Sequence, residues 1–413
     1  MQLRMLARDD GIVDHGRPPR RSGLHGSFFP ALFPDAVVLI TAALVLVPYL
    51  ILRFVWPLRL SWPAKAALSV ALCALAFHHR IVARFAGSVA SPELPKFVIA
   101  AIGTAFIALL LTAVFVLLLD LVMLVVWMLR RRQLLARLRA PALRPALAGI
   151  ALLLSAFGTW QAMAVPQVRQ VEIAIADLPQ AFDGYRLLQL TDIHASRLLT
   201  GDWVTEVVAA SNAQRPDLIV ITGDLVDGSV TARANDVRPL ADLRAPDGVV
   251  AITGNHEYYG QYRDWMDAFR AMGMTVLENT HLRIARDGAA LTIAGVTDPV
   301  AARYGLTLPD VDAALAGRDA DAPVVLLDHR PTQARENARR GVDLQLSGHT
   351  HGGHIVGMDR LVARANGGFV SGRYDVDGMQ LYVSNGAGLW PGFATRIGVP
   401  SEITVITLRR AAR

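Results

Sequence analysis

At 413 residues the chain is long enough for two domains, and its 53% hydrophobic content with a mean hydropathy of +0.36 is high for a soluble enzyme of this size. The formal charge of +6 is uneven: residues 1–165 carry 17 Lys plus Arg against 6 Asp plus Glu, and residues 166–413 carry 24 against 29. The basic excess therefore belongs to the first part and is a poor argument for a nucleic-acid partner, and no basic surface or aromatic interleaving in the second part supports one. The single cysteine, Cys73, lies inside an apolar run and excludes a disulfide within the chain.

Residues 1–30 are rich in Arg, Gly, Pro and His without periodicity and read as a disordered basic tail. Arg20-Arg21 matches a twin-arginine export signal in that dipeptide alone, and the apolar runs that follow argue against a cleaved leader. Four apolar stretches come next, at about 35–56, 64–86, 97–129 and 145–165. Each meets the roughly 20 residues needed to cross a hydrocarbon core, so residues 31–165 are expected to form a four-span transmembrane domain with the bilayer as partner. Tyr49 with Trp56, and Trp127 with Trp160, lie near stretch ends as interfacial anchors do. Asp120, the lone acid of the third stretch, reads as an interfacial end, a sign of tilt or a buried polar contact.

Two charge clusters disagree about orientation. Six arginines and no acid between Arg130 and Arg144 mark a cytoplasmic loop, which sends the last stretch and everything after it to the other face. The tail, with five arginines partly offset by three aspartates, opposes this. The compact loop between two spans weighs more, so the second half is expected on the periplasmic or extracytoplasmic face of a cell membrane.

From residue 166 onward the pattern changes. Val171, Ile173 and Ile175 alternate as in a half-buried strand, and Arg186–Leu190 forms a second. A helix is expected from Asp202, as cap, to Asn212, then strands at Asp217–Thr222 and Gly248–Thr253 with a helical region between. That alternation implies a parallel sheet with ligands at the carboxyl ends of its strands. Later strands are expected at His281–Ala285, Ala290–Val296, Pro323–Leu327, Asp343–Leu346, Gln380–Val383 and Glu402–Leu408, giving two packed sheets with helices outside.

Five short blocks sit where these apolar runs end: Asp192-Ile193-His194, Gly223-Asp224, Gly254-Asn255-His256-Glu257, His329 and Gly348-His349-Thr350-His351. Singly each is ordinary, since Asp-x-His is often a strand-end cap, Gly-Asp a turn and a lone histidine a satisfied side chain. All five in this order supply the Asp, His and Asn mixture that two adjacent divalent cations require. Asp192 and His194, two apart on an extended segment, would project together. Asp224 would bridge two cations through its two oxygens, and Asn255 offers a neutral amide oxygen. His349 and His351 can serve one metal or two. Glycines before Asp224, Asn255 and His349 permit close backbone approach. A pair of cations about 3.5 to 4 Å apart suits phosphoester hydrolysis.

The motifs Leu190-Thr191-Asp192-Ile193-His194, Thr222-Gly223-Asp224-Leu225-Val226-Asp227, Gly254-Asn255-His256-Glu257-Tyr258-Tyr259 and Gly348-His349-Thr350-His351-Gly352-Gly353 resemble the calcineurin-like metallophosphoesterase superfamily, closest to its membrane-linked bacterial phosphodiesterases. Ser384-Asn385-Gly386-Ala387-Gly388 and Pro400-Ser401-Glu402-Ile403 share that likeness, which covers about residues 170–408. The resemblance implies a four-layer α/β/β/α sandwich over 166–413. It implies one metal on Asp192, His194, Asp224 and His351, a second on Asp224, Asn255, His329 and His349, and a non-ligand His256 that protonates the leaving group. Asp328 and His354 depart from that branch's usual Ser and Gln; Asp328 can orient His329, and His354 can touch substrate or point away. His281 matches no motif and is assigned to structure.

The expected function is a membrane-anchored enzyme with two divalent ions (Mn, Fe, Zn or Mg) that hydrolyses a phosphodiester or pyrophosphate bond, with lipid-linked phosphates as the first substrates to consider. The alternative is a non-catalytic membrane transporter or receptor with a metal-binding extramembrane domain. The complete ligand set, the presence of His256 and the near absence of acids in the spans weigh against it.

Overall fold

The computed structural model describes residues 43–411; the expected tail and the start of the first apolar stretch lie outside them. The described chain opens with helix α1 (Ala43–Val55), whose last turn is a π-turn, followed by α2 (Trp62–Ala76) and α3 (His78–Phe85). Next come α4 (Lys96–Met128), the short α5 (Arg132–Leu138) and α6 (Leu143–Met163).

Among the described residues only α4 and α6 are each long and apolar enough to cross a bilayer, or three spans if the bent α2–α3 pair counts as one. Of the four expected spans the described residues therefore hold two clear candidates and one bent pair, and the first, 35–56, lies partly outside them. The second stretch bends by 62° between α2 and α3. The break falls where His78-His79-Arg80 interrupts the apolar run, and His78 Nδ1 turns back to the Leu75 carbonyl at 2.8 Å. Apolarity counted along a sequence measures length but not direction.

Asp120 is a polar contact between helices. It accepts two bonds from the Arg53 guanidinium, at 2.7 and 2.8 Å, and one from the Tyr49 hydroxyl at 2.9 Å, tying α1 to α4. Antiparallel α4 and α6 pack along their length and share a hydrogen bond from Thr104 to Thr159 (3.0 Å).

The strands begin four residues after α6 with β1 (Gln167–Ile175) and β2 (Arg186–Leu190), then α7 (Gly201–Asn212), β3 (Leu218–Thr222), α8 (Val230–Val237), β4 (Val249–Ile252), α9 (His256–Tyr259) and α10 (Tyr262–Ala271). There follow β5 (Thr275–Val276), β6 (Thr280–Arg286), β7 (Ala289–Gly295), α11 (Val311–Leu315), β8 (Val324–Leu327), α12 (Ala334–Arg339), β9 (Leu344–Ser347), α13 (Asp359–Ala365), β10 (Gly372–Val376), β11 (Met379–Val383) and β12 (Glu402–Arg410).

Two six-stranded sheets result, ordered β1-β12-β2-β3-β4-β5 and β10-β11-β9-β8-β7-β6. Strands β2 to β5 are mutually parallel, as are β7, β8, β9 and β11. Central strands such as Leu218–Thr222 and Val324–Leu327 are buried along their whole length, as parallel strands covered on both faces must be. Alternate side chains serve different cores. Leu187, Val220 and Ile252 meet Ile293, Val325 and Leu346 between the sheets. Leu188, Ile219 and Ala251 turn outward onto Val204, Val207 and Trp265 of the helices, and Val324, Leu326 and Leu381 turn outward onto Ala314 and Ala334. Three apolar interfaces separate four layers, helix, sheet, sheet, helix. Two strands escaped the sequence reading: β5, which has two residues, and the edge strand β10, paired antiparallel with β11 across an Asp377-Gly378 turn.

The helical and sheet halves are docked. Glu93, before α4, pairs with Arg197 (3.0 Å) and with the buried Arg233. Trp203 Nε1 donates to the Ala164 carbonyl, and Arg396 N donates to the Gly158 carbonyl at 2.9 Å. A Cβ on Gly158 would lie 2.4 Å from Thr395 Oγ1 and 2.8 Å from Ile397 Cγ1. Gly158→Leu should therefore destabilise the protein by about 1–3 kcal/mol through overpacking. The check is the thermal midpoint in detergent, and an unchanged midpoint would contradict the close docking.

Candidate metal centre

The carboxyl ends of β2, β3, β4, β8 and β9 meet at one edge of the sandwich, and every block singled out from the sequence lies there. The loops after β2 and β3 are zipped together: Asp192 N donates to Gly223 O, His194 N to Asp224 O and Ala195 N to Leu225 O, each at 3.0 Å. Asp192 and His194 are not extended. Both have left-handed backbones (φ 52° and 49°), as do Asp224 (54°), His349 (69°) and His351 (48°). Such conformations cost non-glycine residues energy and persist only where the surroundings enforce them, often at functional sites. They converge side chains that a straight strand would spread apart.

Three sets of ligand atoms result, each lying within 4.8 Å of one another: His194, Asp227 and His256, and two that match the expected ligands, Asp192, His194 and His351, and Asp224, His329 and His349. The two histidines of the last block are divided between the latter two. His351 Nε2 is 3.5 Å and His194 Nε2 3.9 Å from Asp192 Oδ1, while Asp224 Oδ2 lies 3.7 Å from His194 Nε2 and 3.2 Å from His329 Nε2. Two ligands about 2.1 Å from one ion at tetrahedral or octahedral angles are separated by roughly this much. Asp224 thus faces both sets, but through Oδ2 alone, because Oδ1 accepts the His256 backbone N–H at 2.8 Å. This corrects the expectation that both oxygens are free.

The donor set fits cations. His194 Nε2 and Asn255 Oδ1 are buried without a hydrogen-bond partner, a costly state that a bound cation would relieve. Asn255 holds its amide orientation by donating to the Tyr259 hydroxyl, which leaves Oδ1 for the site. His329 Nδ1 donates to the Thr222 carbonyl at 2.8 Å, so Nε2 faces Asp224. Gly254 and Gly348 have no room for a side chain: a Cβ would fall 2.1 Å from Asp224 Oδ1 and 2.3 Å from Asp192 Oδ2 respectively.

Three residues that hold this arrangement were missed in the sequence. Asp227 lies at 2.5 Å from His256 Nδ1, orienting that ring with Nε2 outward, and its other oxygen is 3.2 Å from His194 Nδ1. Its position in the Gly-Asp-Leu-Val-Asp run was the available signal. Glu257, fully buried, accepts the backbone N–H groups of Gly254, Asp224 and Leu225, binding the β4 loop to the β3 loop. Arg396, also fully buried, donates to the carbonyls of Asn385, Gly386, Gly388 and His351. No sequence pattern marked it.

Other candidates fall aside. Asp328 does not touch the His329 ring; it accepts from Asn337 Nδ2 and Arg330 N, and burial raises its carboxyl to about 7. His354 sits between His351, tilted and 4.9 Å away, and Phe393, which it meets edge to face at 5.0 Å. His281 bonds the Ala314 carbonyl in a structural contact.

Protons follow the carboxylates. Burial alone would lower His329, but Asp224 raises it to about 10. Burial would likewise lower His256, which the charges of Asp224 and Asp227 raise to about 9. His349 and His351 are driven well below their usual value by burial and by neighbouring cations, and stay neutral.

A family profile described as calcineurin-like phosphoesterase matches residues 185–353. An uncharacterized metallophosphoesterase of Aquifex aeolicus is 32% identical over 265 residues, covering 63% of this chain and 98% of the relative. The chain belongs to the calcineurin-like metallophosphoesterases. Two further relatives are an uncharacterized metallophosphoesterase of Helicobacter pylori, 34% identical over 253 residues (61% of this chain, 66% of the relative), and a transmembrane protein with metallophosphoesterase domain of Danio rerio, 34% identical over 271 residues (63% and 62%). The chain spans just under two thirds of the length of these two. The family uses a dimetal centre, and this metallophosphoesterase carries candidate ligand sets for one together with two helices long and apolar enough to cross a membrane.

Glu257→Ala should lower stability by about 3 kcal/mol or more by stranding three buried N–H donors, and should reduce metal occupancy, with Glu257→Gln retaining part of both. Melting curves and metal analysis check this; full occupancy at wild-type stability would contradict it. Because His329 is protonated below about 10 in the metal-free protein, an ion must displace that proton. Metal affinity should therefore rise by up to about tenfold per pH unit through neutrality, measured by competition with a chelator, and a flat profile would contradict it.

Proposed function

We propose that this metallophosphoesterase is a membrane-anchored phosphodiesterase or pyrophosphatase with two divalent ions per chain, acting on a phosphoester at or near the bilayer surface. The observation that carries this reading is the pair of ligand sets, Asp192, His194 and His351 and Asp224, His329 and His349, joined where Asp224 Oδ2 lies 3.7 Å from His194 Nε2. Mn, Fe, Zn and Mg all suit such a mixed oxygen and nitrogen set, so availability rather than the ligands selects among them.

Two divalent ions held there would activate a water and neutralise phosphoryl oxygens. The protein's own part is positioning and proton supply. Asp227 holds the His256 ring from Nδ1, which turns Nε2 away from Asp227 and leaves it for a leaving-group oxygen. The charges of Asp224 and Asp227 raise His256 to about 9 in the metal-free protein. Trp390 and Tyr259 flank the ring and limit its motion.

The anchoring part of the proposal rests on α4 and α6 and on the docking of residues 158–164 against the sandwich. Arg130, Arg131, Arg132, Arg137, Arg139 and Arg144 cluster at the far ends of these helices, which supports a cytoplasmic loop there and an extracytoplasmic catalytic face on a multi-pass protein of a bacterial inner membrane.

With Mn²⁺ present, the purified protein should hydrolyse a chromogenic aryl phosphodiester. His256→Ala should cut kcat by about 10²- to 10⁴-fold while both metals stay bound. Asp224→Asn should instead lose metal. Absence of turnover with any of the four metals would overturn the proposed activity, and undiminished kcat in His256→Ala would remove the proton-donor role.

A further inference from the structure

We propose that the segment 354–365, at the rim of the metal centre, dips into the headgroup layer of the bilayer that α4 and α6 cross, so that the site draws its phosphoester from the membrane surface. The substrate half of this inference rests on the phosphoesterase reading above; the membrane contact does not.

Depth is fixed by the helices. The Thr104–Thr159 hydrogen bond marks one level on both α4 and α6. From Thr104 to Trp127 helix α4 runs about 34 Å at 1.5 Å per residue, which is close to a hydrocarbon core of about 30 Å with part of its interface. Trp127 is 62% exposed and Trp160, adjacent to Thr159, is 64% exposed. An outward indole therefore stands at each of the two levels, where aromatic belts sit.

The rim of the metal centre is pinned to the Trp160 level. Gly158 accepts from Arg396 N, and Thr395 and Ile397 fill the space beside it. Ile397 bridges to Ile355, and Val356 N donates to Ile397 O at 3.0 Å, which keeps Val356 within two hydrogen-bonded backbone steps of Gly158. Val356 is nevertheless 69% exposed, and Leu361 on α13 is 62% exposed. Among the described residues of the sandwich, only Tyr304 and Leu308 are comparably exposed large apolar side chains, so this pair is a local feature. Arg360 and Arg364 beside it are exposed too, while Asp359 turns back to accept Gly357 N. Aliphatic side chains flanked by arginines match a surface that buries in the acyl boundary and pairs with lipid phosphates.

The segment is also next to the chemistry. His354 lies 4.9 Å from the His351 ring, and the Arg396 guanidinium that bonds the His351 carbonyl belongs to the residue whose backbone N meets Gly158. A headgroup phosphate at this depth is therefore close to the ligand histidines without leaving the membrane surface.

The test uses the full chain with Cys73→Ala, labelled at Val356→Cys with an environment-sensitive fluorophore. It is reconstituted in phosphatidylcholine and phosphatidylglycerol vesicles whose acyl chains carry a nitroxide near the headgroup. Ala320→Cys, at the opposite end of β8, is the control. Quenching at 356 and none at 320 is expected; loss of quenching at 356 overturns the membrane contact. In the same vesicles, Val356→Asp with Leu361→Asp should lower the ratio of phosphatidylglycerol hydrolysis to soluble aryl phosphodiester hydrolysis, and an unchanged ratio overturns the substrate half. Wild-type protein that is quenched at 356 yet hydrolyses neither substrate overturns the phosphoesterase reading and leaves the membrane contact standing.

Discussion

Everything at this site depends on the carboxylate of Asp224. It is buried, one oxygen is held by the His256 backbone N–H, and the other faces His194 and His329 from opposite ligand sets. A buried carboxylate without a positive partner is untenable, so the residues around it are arranged to supply one. In the metal-free protein protonated His329 and His256 do so, and the family's two ions would take over that role when bound. Asp192, Asp227 and Glu257, buried in the same few ångströms, multiply the demand and explain why backbone N–H groups and imidazoles are drawn in from five different strand ends.

The sandwich exists, from the standpoint of this site, to bring those strand ends together. Parallel strands place their carboxyl ends on one edge, and two such sheets packed face to face give an edge wide enough for both ligand sets. The strained left-handed backbones at Asp192, His194, Asp224, His349 and His351 are offset by ordered contacts behind them. Glu257 ties the β3 and β4 loops, and Arg396 ties the Ser384–Gly388 loop to the His351 loop. Arg396 also meets Gly158 of α6, so the helical half and the metal-binding loops share one rigid joint.

Much of this was legible in the sequence because strand termini and metal chemistry both leave local patterns. Apolar runs ending in Gly-Asp, Gly-Asn-His or Gly-His-Thr-His placed the ligand blocks, and the order of strands implied two sheets. What was not legible depends on distance and direction. Asp227 and Glu257 stand within the motifs, but apart from Gly254 N beside Glu257 their partners lie on other loops, about thirty residues away, so their positions mark them without showing what they hold. Arg396 works entirely through carbonyl oxygens, which every residue possesses. The use of a single Asp224 oxygen follows from a backbone turn at His256 that composition does not encode. In the helical half, four apolar runs were visible but the 62° bend at His78 was not, because hydropathy carries no angle.

The most direct measurement is anomalous diffraction from the full-length protein crystallised with Mn²⁺, located by the metal's absorption edge. The account predicts two peaks about 3.5 to 4 Å apart flanking Asp224 Oδ2, one against Asp192, His194 and His351 and the other against Asn255, His329 and His349. A single peak, or a peak on His194, Asp227 and His256 in place of these, would contradict it.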